Sequence, residues 1–180
     1  SGSTNSLANQ NKGWIGEESM AKKLAVITGG ASGIGEATAR RFAADGHAVA
    51  IVDVNDTNGA AVAKSLPEAR YYACDVSDLD AVAATARRVE TEMGFAHALV
   101  CSAGIIPNTE SVMEMDLAAH KRMWDVNYNG TLYTIRQFAR SMAEAKRGAI
   151  VTLGSINSRA PLPIPAYNMG KAVIERLTQL

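Results

Sequence analysis

The sequence predicts an α/β protein built on a doubly wound parallel sheet, with helices on both faces in a three-layer α/β/α arrangement. Two observations carry this. From Lys22 onward, short apolar runs alternate with helical patterns, the order that builds a parallel sheet. The runs are apolar throughout, as expected of strands covered on both faces.

The elements follow in order. Residues 24–27 form a first strand, and a glycine-rich turn over 28–35 joins it to a helix over 36–45 that Gly46 ends. A second strand over 48–52 ends at Asp53, and Asp56 is placed to cap a helix running to Leu66, with Pro67 just beyond. The third strand is read over 71–74, ending at Asp75. Ser77 or Asp78 caps a helix to Met93, which Gly94 closes before a fourth strand over 98–101. A long helix over 117–146, a fifth strand over 149–153 and a last helix from Pro165 complete the pattern. Residues 1–19, rich in Ser, Asn and Gly, read as a vector-derived or disordered leader, with Met20 as the natural start and 20–180 as one domain. No Gly, Asn or Pro ends the last helix at Thr178-Gln179-Leu180, so the sequence is expected to stop in mid-helix.

Composition narrows the function classes. The 180 residues suit one domain, and 18 basic against 18 acidic side chains give zero net charge. Such a chain has no global field to draw nucleic acid or a membrane surface. Cys74 and Cys101 lie far apart in apolar surroundings, which points to neither a disulfide framework nor a metal cluster. With no secretory signal and no apolar run long enough to span a membrane, a reduced cytoplasmic setting is expected. His47, His97 and His120 lack ligand-like spacing, so no metal is expected. Met115, Met123 and Trp124 read as packing residues, Cys101 as a small buried one and Arg87-Arg88 as a solvated helix face.

The turn after the first strand carries Gly29, Gly33 and Gly35. Such glycines let the backbone turn tightly and approach a pyrophosphate, while the following helix presents free N–H groups. Taken alone, the trio also fits a tight strand-to-helix turn. The strand before, the helix after and Asp53, eighteen residues beyond Gly35, favour a dinucleotide. A carboxylate there accepts from ribose hydroxyls and repels a 2′-phosphate. Ser32 and Val54 supply no cation to welcome one, so NAD is expected rather than NADP.

The spacing Thr28-Gly29-x-x-x-Gly33-x-Gly35 resembles the glycine motif of the short-chain dehydrogenase/reductase family, whose fold is of the Rossmann type, and the resemblance runs along residues 22–180. It implies that Gly29, Ser32, Gly33, Ile34 and Gly35 hold the cofactor. It also implies that Asp75-Val76 lies near the adenine and that Ser102-Ala103-Gly104 stands where the family usually has Asn-Ala-Gly.

Tyr167 and Lys171, at i and i+4, share a helix face. An ordinary tyrosine is phenolate in about one molecule in a thousand at neutral pH, and a shift of ~3 units needs roughly 4 kcal/mol. A neighbouring ammonium and a cationic nicotinamide both act in that direction. The pair resembles the family's catalytic Tyr and Lys, which implies a general acid/base at Tyr167 and a nicotinamide-ribose contact at Lys171. Ser155, twelve residues before Tyr167, resembles the catalytic serine, one residue closer than the commonest spacing; Ser158 competes for that role. The loop between carries Pro161, Pro163 and Pro165 and is read as rigid. Asn127 resembles the fourth catalytic residue, whose backbone carbonyl holds a proton-relay water.

The reading is therefore an NAD-dependent enzyme moving a hydride to or from a small alcohol or ketone. A dimer or tetramer through the long and last helices is expected by resemblance. The family's further strands, nicotinamide-amide segment and substrate lid are not found before Leu180, which keeps open a nucleotide-binding fragment or regulatory module without turnover. A flavodoxin-like or receiver-like domain shares the alternation but leaves Ser155, Tyr167 and Lys171 unexplained.

Overall fold

The computed structural model describes residues 22–106, 111–160 and 162–180, so the leader reading, Met20 and Pro161 lie outside the described residues. Five parallel strands form one sheet in the order β3-β2-β1-β4-β5. They are β1 (Leu24–Thr28), β2 (Ala48–Asp53), β3 (Ala69–Ala73), β4 (Ala96–Cys101) and β5 (Ala149–Thr152). The strand order reverses where β4 pairs with β1, and in open α/β sheets ligands bind beyond the carboxyl ends of the strands at such a point.

Side chains alternate between two cores with the two-residue period of a strand. Ile27, Val49, Ile51 and Val100 pack with Ala39 of α1 (Gly33–Ala44) and Val62 of α2 (Asp56–Lys64). Val26, Ala50, Val52 and Leu99 face the other side, against α3 (Leu79–Met93) through Val82, Ala86 and Val89. Phe138 and Met142 of α5 (Gly130–Ala145) complete that side. Every residue of β1 is buried, which makes it the spine of the sheet.

Several boundaries differ from the sequence reading. Asn55, not Asp56, caps α2: its side chain accepts from the Asn58 N–H at 3.0 Å, and the helix ends at Lys64. Asp78 caps α3 by accepting from Asp80 and Ala81, which frees Ser77 for another role. β3 begins at Ala69 because its N-terminal residues pair with β2 despite the exposed Arg70. The fully covered strands are β1, β2 and much of β4, whereas β3 and β5 are the outer strands among the described residues, and Val151 is half exposed. The last helix, α6 (Pro165–Leu177), has Thr178 as its C-cap.

The long helix is continuous but not uniform. α4 (Leu117–Trp124) passes into a π-helical turn, Asp125–Asn129, before α5. Two threonines take carbonyls at this join: the Thr131 hydroxyl donates to the Asn127 carbonyl at 2.9 Å and Thr134 to that of Gly130 at 2.7 Å. Gly130 also lets the helix press on the β3–α3 loop, since a Cβ there would lie 2.6 Å from Val76 Cγ2. Among the described residues, no helix is long and apolar enough to cross a membrane.

At the opposite end of the sheet, the Leu24 N–H donates to His97 Nδ1 at 3.2 Å, an acceptor available only on a neutral ring. Burial first, then Arg147, holds His97 below the ordinary histidine range, with a hydrogen bond to the Phe95 backbone acting the other way; Lys23 and His47 add to the lowering. The unfolded chain therefore binds a proton that the folded chain refuses, over a window just below pH ~6.5. Stability is fully present above that window and falls as the pH drops through it. Thermal unfolding followed from pH 7 to pH 5.5 should show a falling midpoint whose slope shrinks in His97→Gln; an unaltered slope refutes the assignment.

Candidate active site

A cleft of ≈ 400 Å³ opens at the carboxyl ends of the strands, within the size range of small-molecule sites. The turn after β1 forms its floor. Gly29 takes a left-handed φ of +67°, and a Cβ on it would lie 2.7 Å from Ala103 Cα. Gly33, at φ +52°, turns the chain into α1. Gly35 is needed for space: a Cβ there would sit 2.0 Å from the Gly29 carbonyl oxygen. The three glycines thus let α1 and the backbone after β4 close on the same loop. Gly29, Ser32, Gly33 and Ile34 line the cleft, while Gly35 lies beneath it and is not among the lining residues.

Asp53, at the end of β2, is tied to this loop. One carboxylate oxygen accepts from the Ala31 N–H at 3.0 Å and the other from the Asn55 N–H at 3.0 Å. Asp75 and Val76 line the cleft beyond β3. Burial pushes the Asp75 carboxyl upward, but the Ser77 hydrogen bonds and the Arg122 guanidinium outweigh it and hold the group below the usual carboxylate range. Cys74 lines the cleft as a buried free thiol that burial pushes up, and the buried Cys101 thiol is pushed up to about 12.

Ser102, Ala103 and Gly104 form the wall after β4. Thr28 holds that wall: its hydroxyl accepts from the Ala103 N–H and its carbonyl from the Ser102 N–H, each at 3.2 Å. Asn127 lies behind it, 2% exposed and not among the lining residues. Its side chain makes two 2.8 Å bonds to Ile105, accepting from the N–H and donating to the carbonyl. The asparagine thus pins the loop after β4, and its own carbonyl accepts from Thr131.

Tyr167 and Lys171 line the opposite end of the cleft with Leu153 and Gly154. Ala166, Gly170 and Ile174 form the buried face of α6. Lys171 Nζ donates to the Leu153 carbonyl at 2.7 Å and stands 5.7 Å from the centre of the Tyr167 ring. Burial holds this ammonium below the ordinary lysine range. Ser155 follows on the same strand end and caps a short 3₁₀ turn, its hydroxyl accepting from the Asn157 N–H at 3.2 Å; it is not among the lining residues. The Ser158 hydroxyl is engaged by the Ser155 carbonyl and by Glu175, each at 2.8 Å, and Arg159 also grips Glu175.

Thr28, Arg122 and the Leu153 carbonyl are contributors the sequence reading did not single out. A threonine directly before Gly29 was a readable hint. Arg122 offered none, because its partner Asp75 lies 47 residues away.

The glycine geometry sets a stability prediction. Alanine normally stabilises a helix over glycine by ~1 kcal/mol, yet Gly35→Ala should lower stability by ~1–3 kcal/mol through backbone overlap. Gly170→Ala meets nothing within 4 Å and should be neutral or stabilising. Thermal denaturation of the two variants checks the contrast, and a stabilised Gly35→Ala would contradict the packing.

Comparison with known proteins agrees with this architecture. The family model described as short chain dehydrogenase matches residues 23–180. A 2-dehydro-3-deoxy-L-rhamnonate dehydrogenase (NAD(+)) from Sphingomonas sp. (strain SKA58) is 38% identical over 160 residues, which cover 88% of this chain and 64% of the relative. A cis-4-hydroxycyclohexanecarboxylate dehydrogenase from Sinomonas cyclohexanicum is 37% identical, covering 90% of this chain and 67% of the relative. Among solved structures, an NAD+-bound xylitol dehydrogenase superposes with a TM-score of 0.84 at 30% identity, over 87% of this chain and 62% of that one. The chain thus spans about two thirds of the length of these relatives. With its parallel sheet, its glycine turn and a family match along essentially every described residue, the chain belongs to the short-chain dehydrogenase family.

Proposed function

We propose that the protein is an NAD-dependent oxidoreductase that interconverts a small secondary alcohol and its ketone, with Tyr167 as the general acid/base. The carrying observation is that Tyr167 and Lys171 line one end of the cleft whose other strand ends present Asp53 and the glycine turn.

The residues present fit a dinucleotide. Gly29, Ser32, Gly33 and Ile34 line the cleft, and α1 begins at Gly33 with its N-terminus at the turn. In this reading Gly29, Ser32, Gly33 and Ile34 cradle the pyrophosphate. Asp53 accepts from the adenosine ribose, and Asp75 and Val76 flank the base. Ser102, Ala103 and Gly104 form the wall between the two halves. When bound, the nicotinamide supplies the hydride acceptor or donor.

The chain's own groups do the rest. The Ser155 hydroxyl orients the substrate oxygen. Tyr167 takes the alcohol proton at its phenol oxygen, or returns it to the ketone. Lys171, fixed by the Leu153 carbonyl, keeps donors free for the nicotinamide ribose and stands beside the phenol ring. Asn127 has two duties here: its side chain fixes Ile105, and its carbonyl offers a second lone pair to a relay water.

NAD is preferred to NADP in this reading because Asp53 repels a 2′-phosphate. The cations lining the cleft are committed elsewhere, Arg122 to Asp75 and Lys171 to the Leu153 carbonyl. Fluorescence titration should therefore show tighter binding of NADH than of NADPH by at least about tenfold, ~1.4 kcal/mol. Asp53→Asn should narrow that gap, and an equal response to both cofactors in the unaltered protein contradicts Asp53's part.

Tyr167→Phe tests the chemistry. Across a panel of polyols and cyclic secondary alcohols, kcat should fall by about 10²-fold or more, with NADH affinity little changed. Turnover equal to that of the unaltered chain excludes Tyr167 as the proton-transfer group. Tight NADH binding with no turnover on any alcohol or ketone favours instead a nucleotide-binding module.

A further inference from the structure

The helix that carries Tyr167 and Lys171 is registered against the end of β5 by a row of polar side chains. Asn168, Lys171 and Glu175 of α6 and Thr178 at its C-cap follow one another at helical spacing and so share one face. Lys171 Nζ donates to the Leu153 carbonyl and Asn168 Nδ2 to the Leu162 carbonyl, both at 2.7 Å, and Thr178 Oγ1 lies 2.7 Å from Thr152 Oγ1. Glu175 takes the segment between these anchors: Oε2 accepts from the Ser158 hydroxyl at 2.8 Å and Oε1 from Arg159 Nη2.

Ser158 ends the short 3₁₀ turn, Ile156–Ser158, that Ser155 caps, and Arg159 follows it. The Ser158 N–H donates to the Ser155 carbonyl at 3.1 Å. The Ser158 hydroxyl lies 2.8 Å from both that carbonyl and Glu175, so its one hydrogen is shared between them. The Arg159 side of the ion pair with Glu175 is largely exposed, and pairs of that kind contribute little to stability. The consequence of these bonds therefore lies in what they hold in place.

We propose that Glu175 is a positioning residue that clamps the Ser155 turn to the helix carrying Tyr167, so that both hydroxyls meet one substrate oxygen. The inference rests on the roles proposed above for Ser155 and Tyr167. The Ser155 hydroxyl accepts from the Asn157 N–H at 3.2 Å, which leaves its own hydrogen for a substrate oxygen. The turn sets where that hydrogen points. Tyr167 lies twelve residues further along the chain, too long a connection to fix one oxygen against the other. Glu175, one helical turn beyond Lys171, makes the short connection through space. Arg159 first, then Ser158, hold its carboxyl below the usual carboxylate range against the opposing effect of burial. The clamp is thus charged and closed at neutral pH.

The test is a double-mutant cycle on kcat with NAD+ and a panel of polyols and cyclic secondary alcohols that includes xylitol and cyclohexanol. Glu175→Ala should lower kcat by about ten- to a hundredfold, the cost of misplacing a reacting group by up to about an ångström. NADH affinity, read by fluorescence titration, should be unchanged. In a Ser155→Ala background, Glu175→Ala should cost no further activity, because the group it positions is gone. An unchanged kcat in the single variant overturns the proposal. Equal losses in the two backgrounds overturn it too, since a merely structural role weakens both alike. The pH profile of kcat should keep its midpoints, because the carboxylate bonds to Ser158 and Arg159 rather than to Tyr167 or Lys171; a shifted profile overturns the proposal in favour of an electrostatic role. If Ser155→Ala alone leaves kcat intact, the proposal falls with the Ser155 reading, while Tyr167 keeps its part. Absence of turnover by the unaltered protein across the whole panel overturns the oxidoreductase reading and this proposal with it. Should Glu175→Ala fail to fold, Ser158→Ala decides in its place: it cuts the same link from the turn, and equal losses in both backgrounds again overturn the proposal.

Discussion

The close approach of backbone at the carboxyl end of β1 is the constraint on which the cleft depends. Thr28 and Gly29 are bonded in two directions: Gly29 donates to the Val52 carbonyl on β2, and Thr28 accepts twice from the Ser102–Ala103 wall on β4. Asp53 then reaches back to hold Ala31. Four segments from three strands converge within hydrogen-bonding distance, which is possible only because Gly29 and Gly35 have no Cβ to separate them. The glycine turn is therefore a packing solution before it is a binding device.

The π-turn in the long helix solves a second problem of close approach. Gly130 brings the helix against Val76 at one wall of the cleft, while Asn127 reaches the Ile105 backbone at another. An extra residue in the turn reorients Asn127 inward without ending the helix, and such insertions are frequent at functional sites. The buried amide of Asn127 mimics a strand neighbour for Ile105, satisfying an N–H and a carbonyl that would otherwise be left unpaired where β4 has already ended. One helix thus braces both walls.

How much of this was legible in the sequence follows from the range of each signal. The central strands were legible because burial on both faces writes an apolar run. The glycine turn and the Tyr167–Lys171 pair were legible because their partners lie within a few residues. β3 was misread at its start because an edge strand tolerates Arg70. The cap of α2 is read one residue late, at Asp56, because Asn55 and Asp56 are both good capping residues and only geometry separates them. The π-turn left no mark in the pattern, since one extra residue barely disturbs a helical period. Arg122 and Thr28 act on partners 47 and 75 residues away, a relation that only the folded chain creates.

The charges of the cleft are arranged unequally, and that arrangement separates structural from chemical roles. Arg122 meets Asp75 in a bonded pair, as do most ion pairs of the described residues, which lie at the surface along helices or between neighbouring elements. Lys171 differs. It is half buried, no carboxylate lies within ion-pair distance among the described residues, and its anchor is the neutral Leu153 carbonyl. A desolvated ammonium held by one carbonyl costs free energy that a methionine of similar length would avoid. Among the described residues the compensation comes from that carbonyl and from the Tyr167 ring, 5.7 Å away, both at the cleft the cation faces. Strained electrostatics of this kind cluster where chemistry is done, and here the strain sits beside the one phenol that lines the same wall.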